Sequence, residues 1–476
     1  MAGTADSPYN AGSFAHASHN SPMNPLEIRS LVGLVSLYAT RMLGLFMVLP
    51  VLSLYGADYA GSTTVLIGVA LGIYGLTQGL FQIPLGMLSD RIGRKTVILG
   101  GTAMFLVGSV VAATADTVYG LIAGRALQGA GAVSSTVMAL LADLTTEQNR
   151  TKAMAAVGGS IGLSFAVAMI AGPAIASAFG MGAIFWFTAA LGAAGILVVV
   201  YGIPDPVAMS NLSSRETLAM PALLGTTLAN RELLRLDIGI FLLHMIQMAS
   251  WVAVPFVLSQ VLDFPLHRHW WLYLLTMGFG FVAMLPFMIV AERKRILKWV
   301  FVGAVGLLAV AELLMYLSGQ RFGVFVAGLF LFFMAFNLLE ASLPSLVSKV
   351  APSGTRGTAM GIYSSSQFLG AFAGGLAGGA LAHAYGHHGV FLFSAVMALL
   401  WGGVALTMAK PRHWASVVVQ LRDDEQPPDG ASLRDLVAGV EEVLLIPEQR
   451  LVYLKVDKAL FDQPALEKLL GRPLAA

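Results

Sequence analysis

Five ionisable side chains stand alone inside long apolar stretches: Arg41, Arg125, His244, Glu312 and Glu340, with Gln247 and Asn337 as neighbouring amides. Their types suit ion binding and proton exchange. Burial disfavours a charged carboxylate and a nearby arginine favours it, so the balance lets such a group take up and release a proton. Glu340 is the first candidate for that work. His244 is the second, because an ordinary imidazole already titrates near neutral pH. Arg41 and Arg125 would set a positive field around them. Bond-making chemistry has no such support. There is no HExxH pattern and no cysteine, so neither a metal site nor a thiolate nucleophile is expected. Gly158-Gly-Ser160-Ile-Gly162 fits G-x-S-x-G, but that pattern needs a strand-turn-helix. Here it falls inside an apolar helical stretch and reads as packing, so no enzyme is expected.

The elements that carry these groups follow from composition. Of 476 residues, 57% are hydrophobic and 11% are charged, against about 25% charged in a soluble domain. The net charge of +2 is too small to call for a nucleic-acid partner. Between Leu31 and Ala409 lie twelve apolar stretches, each near the roughly 20 residues that cross a bilayer. They must be helices, because a lone span in lipid has to satisfy its own backbone. With the N-terminus inside, 17 Lys and Arg fall on the inner side and only Arg268 and Arg321 on the outer. That bias predicts both termini inside and an even number of spans.

The expected fold is therefore an all-α integral membrane protein of twelve helices, with a small α/β domain after it. A tail over 1–25 lacks periodicity and reads as disordered. Six helices over 26–203 and six over 236–410 flank a polar linker over 204–235. The halves look duplicated: Pro84, Asp90 and Arg91 recur as Pro286, Glu292 and Arg293, and Arg150-Thr-Lys-Ala-Met recurs as Arg356-Gly-Thr-Ala-Met. Two such halves suit a binding site between them near the middle of the membrane. Residues 415–476 hold 11 acidic and 7 basic residues, whereas the 414 before them hold 15 and 21. That segment reads as strand, helix, hairpin and second helix, with Leu433, Leu436, Val437 and Val440 on one helical face. It has no Cys, His or Met for a soft metal. Asp423, Asp424, Glu425 and Asp429 read as a solvated linker.

The most specific local pattern is Gly86-Met-Leu-Ser-Asp90-Arg91-Ile-Gly93-Arg94-Lys95. It resembles the G-x3-D-R/K-x-G-R-R/K signature of the major facilitator superfamily. Arg41-Met-Leu-Gly-Leu-Phe-Met-Val-Leu-Pro50, Gly72-Ile-Tyr-Gly-Leu-Thr-Gln78, Phe81-Gln-Ile-Pro84, Gly124-Arg-Ala-Leu-Gln-Gly129 and Glu147-Gln-Asn-Arg-Thr-Lys-Ala-Met154 are similar to YajR-type bacterial inner-membrane transporters. The resemblance implies twelve helices, alternating access, proton coupling without a bound cofactor, and a ferredoxin-like C-terminal domain. It implies that Gly86, Asp90, Arg91, Gly93, Arg94 and Lys95 form an inner-face latch, with Asp143 as its carboxylate partner. It also places spans one, four, seven and ten around a central cavity, so Arg41, Arg125, His244, Gln247, Asn337 and Glu340 would face it. Gly159, Gly172 and Pro173 form a partial copy of the antiporter motif of span five. Two glycine stripes, Gly68, Gly72, Gly75, Gly79 and Gly86 in span two and Gly370, Gly374 and Gly378 in span eleven, would pack these two helices together.

The expected function is export of a small organic molecule by proton antiport, by a monomer in the bacterial inner membrane. The alternatives are uptake of an anionic or neutral solute, by proton symport or facilitated, and a transporter-like sensor signalling through the C-terminal domain. Drug antiporters of the superfamily often carry an acidic residue in span one; Arg41 in its place counts against a cationic drug.

Overall fold

A computed structural model describes residues 23–145, 147–204, 225, 227–294, 296–351, 356–409, 414–420, 433, 436–446, 451–457 and 460–470. Residues 1–22 of the expected disordered tail, most of the linker and the acidic run from Asp423 to Asp429 lie outside the described residues, while Asn24 and Pro25, expected in that tail, cap and begin the first helix.

The first eight helices are α1 (Pro25–Met47), a short α2 (Leu52–Tyr55), α3 (Thr64–Ile92), α4 (Arg94–Ala113), α5 (Val118–Ala130), α6 (Ser134–Asp143), α7 (Glu147–Phe179) and α8 (Met181–Leu197). Then come α9 (Arg231–Phe256), α10 (His269–Arg293), α11 (Leu297–Leu317), α12 (Phe322–Val350) and α13 (Arg356–Leu406). Their starts are chemically marked. Asn24 caps α1 by accepting from the Glu27 amide at 2.8 Å, while Glu27 accepts from the Asn24 amide at 2.9 Å, a reciprocal capping box. Asn230 accepts from the amides of Glu232 and Leu233 and so starts α9, inside the segment expected as linker.

Among the described residues, ten helices are long and apolar enough to cross a membrane. Two features separate this number from the twelve apolar stretches. The fourth stretch is broken at Gly131 into α5 and α6, of 13 and 10 residues. At the break α4 comes so near that a side chain on Gly131 would strike the Gly101 carbonyl oxygen. The last two stretches form one run, α13, of 51 residues. A straight helix of that length would reach about 75 Å, more than twice the hydrocarbon core. The run bends at Gly386, whose φ of 75° and ψ of 167° suit only glycine.

Small residues set the closest helix contacts. Gly68, Gly72 and Gly75 of α3 lie on the backbone of Gly375, Phe372 and Phe368 in α13, and Gly375 and Gly379 return the approach. Gly370, Gly374 and Gly378 instead lie on the backbone at Phe241, Met245 and Ala249 of α9. The second stripe thus packs α13 within its own half, not on span two as expected. A neighbouring register makes the α3 contact. Large apolar side chains including Leu163, Phe179, Phe279, Val282 and Leu399 are left exposed.

After the helices, β1 (Trp414–Gln420), β2 (Val440–Ile446) and β3 (Leu451–Asp457) form an antiparallel sheet in the order β1-β3-β2, followed by α14 (Gln463–Leu470). Val419, Leu433, Val437, Val440, Val452, Leu454, Val456 and Leu466 are its core. Val440 opens β2 and Leu436 is exposed, so the expected four-residue helical face is shorter than its pattern.

Candidate functional site

Two groups of polar side chains stand out, one at the end of the helices that carries Asp90 to Lys95, the other along the seam between α1–α8 and α9–α13. At the first, Gly93 turns the chain from α3 into α4 with φ of 95°, a left-handed value that glycine adopts without strain. The turn places Arg94 inward, where its Nε pairs with the Asp143 carboxylate at the end of α6 and its Nη1 lies 3.7 Å from Asp90. These bonds join α3, α4 and α6, all in the first half. Lys95 donates to the Ile203 carbonyl at 3.0 Å, and Arg29 donates to the carbonyls of Tyr201 and Gly202 at 2.6 and 3.0 Å. Cations at a helix C-terminus satisfy carbonyls that the helix itself leaves open. Gly86 lets α6 approach, since a Cβ there would sit 3.2 Å from Ser135 Oγ. Arg91 points outward and is exposed.

Along the seam, the two deep arginines have opposite surroundings. Arg125 on α5 is wholly buried, and its Nε and Nη2 donate to the carbonyls of Ala70 and Leu71 at 3.3 and 3.4 Å. Its Nη1 donates to Gln128 Oε1 at 3.1 Å, and its guanidinium lies over the Tyr74 ring. Arg41 on α1 is 2% exposed, yet none of its three guanidinium nitrogens has a hydrogen-bond partner. Its Cζ lies 4.9 Å from the centre of the Phe105 ring.

In the second half, α9, α12 and α13 bring His244, Glu340 and Gln367 together. His244 Nδ1 lies 3.3 Å from the Ile240 carbonyl, which can only accept, so the proton is assigned to Nδ1. The bare Nε2 accepts from Gln367 Nε2 at 2.8 Å, and the same amide nitrogen donates to Glu340 Oε1 at 3.3 Å. Glu340 Oε2 lies 3.9 Å from His244 Nε2 and has no hydrogen-bond partner. The Glu340 side chain keeps 37% exposure, while its Oε2 is buried. Asn337, one turn earlier on α12, has an unpartnered Nδ2. Gln247 is buried on α9.

Gly172 and Pro173 are buried in α7, and a side chain at Gly172 would strike the Met47 carbonyl oxygen of α1. Gly159 is exposed, with nothing within 4 Å of a Cβ there. Glu312 lies away from the seam cluster, fully buried, accepting from Ser250 Oγ at 2.7 Å. Three polar residues had not been singled out from the sequence: Gln367, the buried Asp237 of α9, and Gln78, which donates to Ser134 Oγ at 3.1 Å and Gln82 Oε1 at 3.2 Å. The signal for each was available, since any amide or acid within a spanning stretch is costly there.

Comparison with known proteins agrees with this architecture. The chain matches the Major Facilitator Superfamily over residues 34–294 and 236–466. It is 45% identical over 449 residues to the inner membrane transport protein YajR of Escherichia coli (strain K12), covering 94% of this chain and 98% of that one. The tetracycline resistance protein, class E, of Escherichia coli is 33% identical over 177 residues, 36% of this chain and 42% of its own. The human organic anion transporter MFSD10 (TETRAN) superposes with a TM-score of 0.59 at 21% identity, over 80% of this chain and 100% of that one, which shows a shared fold. Members of this family move substrates and do not convert them. The chain is a multi-pass membrane transport protein and belongs to the Major Facilitator Superfamily.

Proposed function

We propose that the chain is a proton-coupled secondary transporter that exports a small organic molecule by antiport, working by alternating access around the seam. The observation that carries this reading is the His244–Gln367–Glu340 chain. It links a carboxylate with one buried, unpartnered oxygen to an imidazole through one amide, across three helices that must move if the site is to face each side in turn. No bound cofactor is required, since a proton gradient supplies the energy. The partial match to a tetracycline resistance protein favours export. Arg41 favours a second reading, uptake of an anionic or neutral solute.

In this reading α5 with α6 counts as one crossing and α13 as two, which makes twelve spans. The Asp90–Lys95 end and both termini lie in the cytoplasm, the protein works as a monomer, and Arg94 and Asp143 act as a latch on the inner face. The sheet order β1-β3-β2 with α14 supports a ferredoxin-like C-terminal domain. Flux in proteoliposomes under an imposed proton gradient tests the proposal. Wild type is expected to accumulate or lose substrate according to the sign of the gradient, and Glu340→Gln to lose that dependence. Full gradient-driven transport by Glu340→Gln would sink the role of Glu340.

A further inference from the structure

The geometry points to a small organic anion as the substrate class, with Arg41 and not Arg125 as the group that binds its charged end. This rests on the reading of the seam as the transport site. Both guanidinium groups are buried, and a guanidinium stays charged in any protein environment. Arg125 has acceptors for all three nitrogens on Ala70, Leu71 and Gln128. Arg41 has none, and no carboxylate forms an ion pair with it among the described residues. A buried charge without a partner is strongly disfavoured, and the contact with the Phe105 ring offsets only a small part of that cost. The missing component is an anion.

The surroundings say where it would lie. Tyr38, one turn before Arg41 on α1, and Phe368 of α13 both pack against the cluster of Met42, Leu45, Tyr74 and Phe105, so Arg41 lies beside the seam. Across the seam, Asn337 Nδ2 is a second donor with no acceptor. Unpartnered buried donors thus stand in both halves. Phe105, Met42 and Leu45 beside Arg41 form a small apolar cluster with Tyr74. That wall suits a compact apolar body attached to the anion. The guanidinium fork matches a carboxylate in two-point geometry.

Benzoate, benzamide and benzylamine share one ring and differ in charge. Their binding to the purified full-length protein in detergent, by titration calorimetry, tests the assignment. Wild type is expected to bind benzoate at least about tenfold more tightly than either of the others. Arg41→Gln is expected to lose that preference, and Arg41→Lys, which keeps the charge but not the fork, to keep part of it. Equal or tighter binding of benzamide or benzylamine by wild type overturns the proposal without any variant. So does an unchanged benzoate preference in Arg41→Gln, or no benzoate binding at millimolar concentrations. Benzoate binding through Arg41 in a protein without proton-driven flux would overturn the coupling proposed above and leave the anion assignment standing.

Discussion

Arg125 donates to two backbone carbonyls of α3 and to Gln128, which in turn donates to Ser109 Oγ of α4 at 2.8 Å. It is a three-helix rivet. Removing it takes away three hydrogen bonds from a charged donor, each contributing about 1.5–3 kcal/mol. Arg125→Gln is therefore expected to lower the melting temperature in detergent by several degrees. Arg41→Gln, which removes a buried cation that had no partner, is expected to leave it unchanged or raise it. Both melts come from the same fluorescence assay, and a large drop for Arg41→Gln would contradict the account of that site. The sequence placed both arginines inside spans but could not tell them apart. Hydrophobic pattern reports that a charge is buried. Which acceptors meet it depends on neighbouring helices distant in the chain. The same limit explains Gln367, whose role is visible only once α9 and α12 stand beside α13.

At the scale of elements, the glycine stripes were legible and their partners were not. Gly370, Gly374 and Gly378 face α9, while Gly375 and Gly379 face α3. The two sets differ by one residue, a rotation of about 100° around the helix axis. Two neighbours can therefore read adjacent stripes of one helix, and spacing alone does not assign them. The contacts make a prediction that spacing cannot. A Cβ at Gly75 would strike the Phe368 carbonyl oxygen and lie 3.3 Å from the Ala371 side chain, whereas one at Gly162 has nothing within 4 Å. Gly75→Val is expected to force α3 and α13 apart and yield aggregated or inactive protein on size exclusion. Gly162→Ala is expected to elute as wild type, with stability within about 0.5 kcal/mol. The helix count was legible in the same incomplete way. Twelve apolar stretches are present, but the fourth is broken at Gly131, where α4 approaches closely, a tertiary contact that composition does not record.

For the whole molecule, the seam between halves is the part that the proposed alternating access would have to remake. The contact of α3 with α13 runs from Gly68 on Gly375 and Gly379 to the Asp90–Lys95 end, where a Cβ at Gly361 would lie 4.0 Å from Ile83 Cγ1. If the halves rock about the site between them, this end must part in one of the two states. The sequence offers an unusually clean way to test it, because the chain has no cysteine. The double substitution Ile83→Cys with Gly361→Cys puts two thiols on facing positions of this contact, with no competing thiol. Under oxidation the double variant is expected to run as a cross-linked species after internal cleavage and to lose transport in proteoliposomes. Reductant is expected to restore it, and each single variant to ignore both treatments. Because loss and recovery occur in one preparation, misfolding cannot imitate them. Full transport by the cross-linked protein would mean that the halves turn about this contact rather than separate at it. The moving surface would then have to be sought at α7 and α10, which also meet across the seam.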